Sequence, residues 1–221
     1  FSIPGALHRG LLTEDLYKEA RRLARKGLGI NSKVIVVGNG LLGQGEEGRL
    51  AWTLLYMGIH NVQFVALNYF KKLPMTAQES PPKANAKMWK PHLVQTLFAT
   101  KEEIKIAMTP ARTHKKTYLI DVRSEKEYFH RSTNGDYDYP DLNAIHIPWN
   151  KFLTNEGRPN FSILKDLTNF GVQKNDRIIT ISQQGVRSAA VTAALTSMGY
   201  TNVGNFNGGY QLLFPQKNSN K

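Results

Sequence analysis

The residues of this sequence that could do chemistry gather at two glycine-bearing loops, each between an apolar run and a helix-forming one. One loop is Gly38-Asn39-Gly40-Leu41-Leu42-Gly43-Gln44-Gly45-Glu46-Glu47-Gly48, which follows Val34-Ile35-Val36-Val37. The other is Ser182-Gln183-Gln184-Gly185-Val186-Arg187-Ser188, which follows Arg177-Ile178-Ile179-Thr180-Ile181. Glycines between a strand and a helix suit a phosphate held on backbone N–H groups. In the first loop, however, Glu46 and Glu47 stand where an anion would need amides and a cation, so its glycines read as a flexible connection. In the second, the Ser182 hydroxyl is a nucleophile only beside a general base, because its pKa leaves almost no alkoxide near neutral pH. No histidine lies close in sequence, and His130 and His146 are the ones that folding would have to bring near. Otherwise His146 fills space at a strand end and His130 belongs to an exposed loop.

The chain contains no cysteine, which excludes disulfides, thiolate metal sites, iron–sulfur clusters and every cysteine-based covalent mechanism. No metal site or cofactor is expected. The net charge of +12 favours acidic partners: small anions, an acidic protein, anionic lipid or nucleic acid. The basic residues are scattered, with short clusters at Arg21-Arg22 and Lys115-Lys116 and no aromatic-plus-basic pattern. A basic surface is therefore expected rather than nucleic-acid binding. Nothing approaches the roughly 20 apolar residues of a membrane span, and no signal peptide opens the chain. The compartment stays open, with the lack of thiols leaning towards a periplasmic or secreted setting.

The elements that must position these loops occur twice. Met57-Gly58-Ile59-His60-Asn61-Val62 returns as Met198-Gly199-Tyr200-Thr201-Asn202-Val203, and Pro4-Gly5-Ala6-Leu7-His8 echoes Leu142-Asn143-Ala144-Ile145-His146. Between these anchors come a helix (13–26, then 162–169), an apolar strand, the glycine loop, an Ala/Leu-rich helix (49–57, then 188–198) and a strand starting at Val62 or Val203. β-Branched runs without polar alternation indicate strands buried on both faces. Strand–loop–helix–strand units of this length are crossovers of a parallel sheet.

The expected organisation is α/β, with two tandem domains. The first spans residues 1–73 and is followed by a proline-rich linker, 74–92. The second spans 93–215, and a polar tail covers 216–221. Within the second, residues 93–98 read as a strand, Thr100-Lys101-Glu102-Glu103 as a capped helix start and Tyr118-Leu119-Ile120-Asp121 as a buried strand. The second half has about 50 residues before its Ala144-Ile145-His146 anchor, and the first has five before Ala6-Leu7-His8. The first domain is thus expected to lack an opening strand–helix–strand portion.

Four motifs in order resemble the rhodanese (thiosulfate sulfurtransferase) family over about residues 93 to 214. Asp121-Val122-Arg123 with Glu127-Tyr128 resembles a D-x-R…E-[YF] strand end, and Ala144-Ile145-His146-Ile147-Pro148 an A-[IV]-[HN]-[IL]-P segment. Residues 182–188 resemble the active loop C-x-x-G-x-R-[SA], with Ser182 in the place of cysteine. Met198-Gly199-Tyr200 and Asn207-Gly208-Gly209-Tyr210 resemble the closing signature. The first half is similar to the commonly inactive N-terminal domain of two-domain members, through Ser2-Ile3-Pro4-Gly5-Ala6 and Arg49-Leu50-Ala51-Trp52. Its loop runs 20 residues from strand end to Met-Gly, against 17 in the second half.

The resemblance implies an anion cradle made by Gln183, Gln184, Gly185, Val186, Arg187 and Ser188, with Arg187 as a charged fork. It also implies charge pairs at Asp121 and Arg123 that tie the first strands to the loop. A hydroxyl at 182 cannot carry sulfane sulfur as a persulfide does. Residues 131–142, rich in aspartate and tyrosine, replace a compact turn and read as a solvated insertion or a recognition surface. The expected function is a catalytically silent rhodanese-like protein that binds a small sulfur or phosphate oxyanion or an acidic protein partner. A working thiosulfate sulfurtransferase and a basic assembly scaffold are the alternatives.

Overall fold

The computed structural model describes residues 10–71, 86–108, 117–129 and 139–215. The Pro4–His8 anchor, the linker around 74–83, His130, residues 131–138 and the tail lie outside the described residues. No helix among those described is long and apolar enough to cross a membrane.

The first half runs α1 (Leu16–Arg25), β1 (Val34–Gly38), α2 (Glu46–Tyr56) and β2 (Val62–Ala66). The second runs α3 (Lys101–Met108), β3 (Thr117–Asp121), α4 (Glu125–Tyr128), β4 (Ile145–His146), α5 (Ile163–Asn169), β5 (Arg177–Ile181), α6 (Val186–Ser197), β6 (Val203–Asn205) and α7 (Gly209–Leu213). β1 and β2 form a parallel pair; the other four strands form a parallel sheet in the order β4-β3-β5-β6.

The register makes the internal repeat geometrical. Val34 pairs with Val62, and Ile178 pairs with Val203. The amide of Val34 donates to Asn61 O and that of Ile178 to Asn202 O, each at 2.9 Å. With Asn61-Val62 laid on Asn202-Val203, Val34 to Gly38 fall on Ile178 to Ser182. Each following helix starts after a left-handed glycine, Gly45 at φ +83° and Gly185 at φ +81°, a conformation that a side chain would strain. Both helices therefore begin earlier than apolar patterning suggested, at Glu46 and Val186.

α2 and α6 pack against each other through small residues. A Cβ on Gly48 would come within 2.5 Å of the Ala190 Cβ, so the two backbones meet there. Trp52 stacks on Tyr56 and, with Trp149, Phe152, Ala189, Val191 and Leu195, joins one apolar core to which both sheets contribute. A second core, with Ile104, Leu119, Ile179, Ile181 and Tyr210, lies on the other face of the four-stranded sheet.

The expected strand at 93–98 is instead a 3₁₀ turn at Gln95–Leu97, with only Phe98 bridged to Asn205. Its carbonyls are taken by side chains: Trp52 Nε1 donates to Leu97 O, and Arg177 donates to Thr96 O and Phe98 O. The helix start at Thr100 forms as expected, with Thr100 Oγ1 accepting from the Glu103 amide and Glu103 accepting from the Thr100 amide. Tyr139 and Leu142 are buried in the second core while Pro140 and Asp141 between them are exposed, so the described end of the 131–142 insertion is anchored by its apolar residues rather than wholly solvated.

Candidate functional site

The loop 182–188 connects the end of β5, a central strand, to α6, a helix whose first amides have no partner within the helix. Ser182 is buried, and its Oγ accepts the amides of Gly185 and Ser188, both at 3.2 Å. It also shares a hydrogen bond with Ser188 Oγ at 3.1 Å, and Ser188 Oγ donates to Asn205 Oδ1 at 2.6 Å. The hydroxyl thus caps α6 from within. Asn205 Nδ2 donates to Gly185 O, and the amides of Tyr210 and Gln211 donate to the carbonyls of Ser182 and Gln183. The start of α7 lies directly on the loop: a Cβ on Gly209 would meet Ser182 O at 1.9 Å.

Arg187 is engaged. Its Nη1 and Nη2 each donate to Glu127 at 2.6 Å, a two-pronged ion pair. Burial alone would raise the Glu127 pKa, but the hydrogen bonds and charge of Arg187, with help from Ser124, hold it down at about 2. Glu127 is fixed in turn by a capping box with Ser124 at the start of α4.

Asp121 and Arg123 form a buried pair at the end of β3, with Arg123 Nη2 donating at 2.7 Å. Tyr210 OH donates to Asp121 Oδ2 at 2.9 Å, and the Arg123 guanidinium lies 3.8 Å from the Tyr210 ring centre. Burial, then the Asp121 charge, pushes the Tyr210 hydroxyl far above the usual phenol range, so it stays a donor. Through Tyr210, whose amide holds Ser182 O, this pair is linked to the loop.

His146 Nε2 donates to Arg123 O at 3.0 Å, and the ring stacks on Tyr128. No histidine among the described residues hydrogen-bonds Ser182, and the hydroxyl's partners there are two amides and another hydroxyl. Gln183 Nε2 donates to Tyr139 OH at 3.1 Å.

The first loop is built differently at the equivalent spot. Gly38 takes the place of Ser182, and a Cβ there would meet Glu47 Oε2 at 2.4 Å. The Glu47 carboxylate therefore fills the space where the second loop has the serine. It is buried, no well-formed hydrogen bond closes either oxygen, and burial raises its pKa despite the nearby amides of Glu47 and Gly40. Arg49, also buried, donates from Nη2 to Gly10 O at 2.6 Å and Asn207 Oδ1 at 3.2 Å. Residues 10 and 11 thereby reach the second loop, Gly10 against Gln184 O and Leu11 against Gly208.

Sequence reasoning missed Glu127 as the partner of Arg187, and Asn205 and Tyr139 as loop supports. The Ser124-x-x-Glu127 capping signature was the one local sign that Glu127 would be held in place.

A parallel α/β sheet with a tight loop between a central strand and an alanine-rich helix defines the class. The rhodanese-like domain family model matches residues 105–213. No curated protein sequence matches the chain. Among solved structures it is similar to the 3-mercaptopyruvate sulfotransferase SseA from Escherichia coli, at 18% identity and TM-score 0.66 over 87% of this chain and 72% of that one. It is also similar to wild-type EanB, at 16% identity and TM-score 0.70, over 88% of this chain and 51% of that one. An EanB variant in complex with ergothioneine covalently linked with a cysteine persulfide aligns at 15% identity and TM-score 0.71, over 91% and 55% of the two chains. The chain therefore spans about half the length of EanB, and these likenesses show the fold.

Proposed function

We propose that the rhodanese-like domain of this chain performs no sulfur transfer and that its 182–188 loop holds a small sulfur or phosphate oxyanion on main-chain amides. The observation that carries the reading is the position of Ser182 Oγ, inside the cradle and hydrogen-bonded to the amides of Gly185 and Ser188. A thiolate in that place would be stabilised by the same amides and would take a sulfane sulfur from thiosulfate, releasing sulfite and becoming a persulfide. The hydroxyl lacks the sulfur atom and, among the described residues, a base to ionise it.

The first amides of α6, at Val186 and Arg187, remain available to an anion in the direction that the helix dipole favours. The Arg187 fork would join only by giving up Glu127, so the cradle is expected to be a weak anion site. Asp121 and Arg123 serve as structural supports through Tyr210.

The repeated register of β1–β2 and β5–β6, with matching left-handed glycines, supports a tandem reading in which residues 1–73 derive from a second rhodanese-like unit. In that reading its loop is inactive because Glu47 occupies the place of an anion.

The test is a thiosulfate:cyanide assay on the wild type together with sulfate titration followed by the amide signals of residues 183–188. The reading expects no thiocyanate and a local shift of those amides. Thiocyanate turnover by the wild type would end it, and absence of any sulfate-dependent shift would remove the anion.

A further inference from the structure

Arginines with a carboxylate partner bring the 182–188 loop little net charge. Arg123 is paired with Asp121, Arg177 with Glu103 and Arg187 with Glu127. Arg49 of α2 is built otherwise. It is 6% exposed, and its Nη2 donates to two neutral acceptors, Gly10 O at 2.6 Å and Asn207 Oδ1 at 3.2 Å. Nε and Nη1 have no hydrogen-bond partner among the described residues, and the guanidinium lies over the Trp52 ring, 4.6 Å from its centre. Glu47, two positions earlier, turns towards Gly38, and neither of its oxygens is bonded to Arg49. Burial lowers the Arg49 pKa to about 9, which still leaves the group charged at pH 7. A buried charge without a counter-charge is costly, and buried charges are as a rule paired.

Both acceptors back directly onto the second loop. A Cβ on Gly10 would overlap Gln184 O and come within 3.2 Å of Gly185 N. A Cβ on Gly185 would meet Gly208 N at 2.6 Å and Asn207 C at 3.3 Å. The Arg49 guanidinium therefore stands one residue behind the turn at 184–185, on protein that is buried. Across such a gap a charge is screened far less than at the surface.

We propose that Arg49, contributed by the first half of the chain, supplies the positive charge that holds an oxyanion at the 182–188 loop, in place of the Arg187 fork that Glu127 occupies. This rests on the anion reading of that loop and names the side chain that sets its charge.

Sulfate titration of the 221-residue chain, read from the amide signals of residues 183–188, tests it, with protection of the β5 amides as the control for folding. Arg49→Gln keeps an NH2 donor for Gly10 O and Asn207 Oδ1 but no charge, and is expected to weaken sulfate binding at least about 10-fold. Arg49→Lys keeps the charge and is expected to stay within about 3-fold of the wild type. Glu127→Gln combined with Arg187→Gln removes a neutral pair and is expected to change the affinity less than about 2-fold. A second readout needs no sulfate. In Ser182→Cys, the pH midpoint of thiol alkylation is expected to rise by about one pH unit on adding Arg49→Gln and to return with Arg49→Lys. Unchanged sulfate affinity in a folded Arg49→Gln protein would overturn the proposal, as would Arg49→Lys losing as much as Arg49→Gln. Absence of any sulfate shift in the wild type counts against the anion reading itself; the alkylation midpoint then decides alone, and one unmoved by Arg49→Gln overturns the role of Arg49.

Discussion

Replacing Ser182 by alanine separates a structural hydroxyl from a reactive one. Ser182 Oγ is the acceptor for two buried amides, those of Gly185 and Ser188, at the first turn of α6. Ser182→Ala removes that acceptor, and the burial of the loop leaves no water to replace it. Losing a helix cap costs about 0.5–2 kcal/mol, and each buried donor left unsatisfied costs about 1–3 kcal/mol. The two descriptions overlap, and both bonds are at the long end of the range, so the expected loss is about 2–4 kcal/mol. For a chain of this size that lowers Tm by roughly 5–15 °C. Urea unfolding followed by far-ultraviolet circular dichroism measures it directly. Ser182→Cys is expected to lose less, because sulfur still fills the space and accepts weakly. A Ser182→Ala variant within about 0.5 kcal/mol of the wild type, the range of ordinary surface substitutions, would refute the reasoning. The hydroxyl would then not be holding the loop.

Three further outcomes follow from the same geometry. Glu127→Gln releases Arg187 from its carboxylate partner and is expected to tighten sulfate binding at the loop about 2–5-fold, the value of a partly exposed ion pair, read by titration of the loop amides. Because the Glu127 pKa is held down at about 2 from 4.5, its contribution to stability is present above 4.5 and is lost as pH falls towards 2, so this part of acid unfolding should be missing from the variant. Glu47→Gln is expected to stabilise the chain by about 1–2 kcal/mol at pH 7, since burial disfavours the charged carboxylate. That advantage shrinks as pH falls through the raised pKa of Glu47, where the wild type becomes neutral too, and denaturation at pH 7 and 4.5 checks the sign. Gly48→Val pushes side-chain atoms into Ala190 at the α2–α6 contact and is expected to cost about 1–3 kcal/mol in the same measurement.

What the sequence made legible was local. The repeat of Asn61-Val62 in Asn202-Val203 foretold the matching pairs Val34↔Val62 and Ile178↔Val203, because β-branched runs and left-handed glycines leave few options for a crossover. The region that the rhodanese-like domain family model matches was legible for a related reason: its motifs are strand ends and loops whose spacing the sheet fixes. Partners across the chain were not legible. Nothing around Arg187 points to Glu127, 60 positions away, and an arginine in such a loop looks free until α4 is placed beside it. Residues 93–98 have strand-like composition, yet Trp52 and Arg177 take their carbonyls, so tertiary hydrogen bonds overrode local preference. Tyr139 sits in a run of aspartates that suggests solvent, and only its contacts with Tyr210 and Phe214 show it to be core.

The central claim is that an intact cradle encloses the wrong atom for sulfur transfer. Incubation with thiosulfate followed by intact-mass analysis, on the wild type and on Ser182→Cys side by side, addresses it most directly. The account predicts no mass change in the wild type and gain of one sulfur atom in Ser182→Cys, removed by cyanide as thiocyanate. Sulfur transfer by the wild type, or a Ser182→Cys protein that folds yet never gains the sulfur, would contradict it.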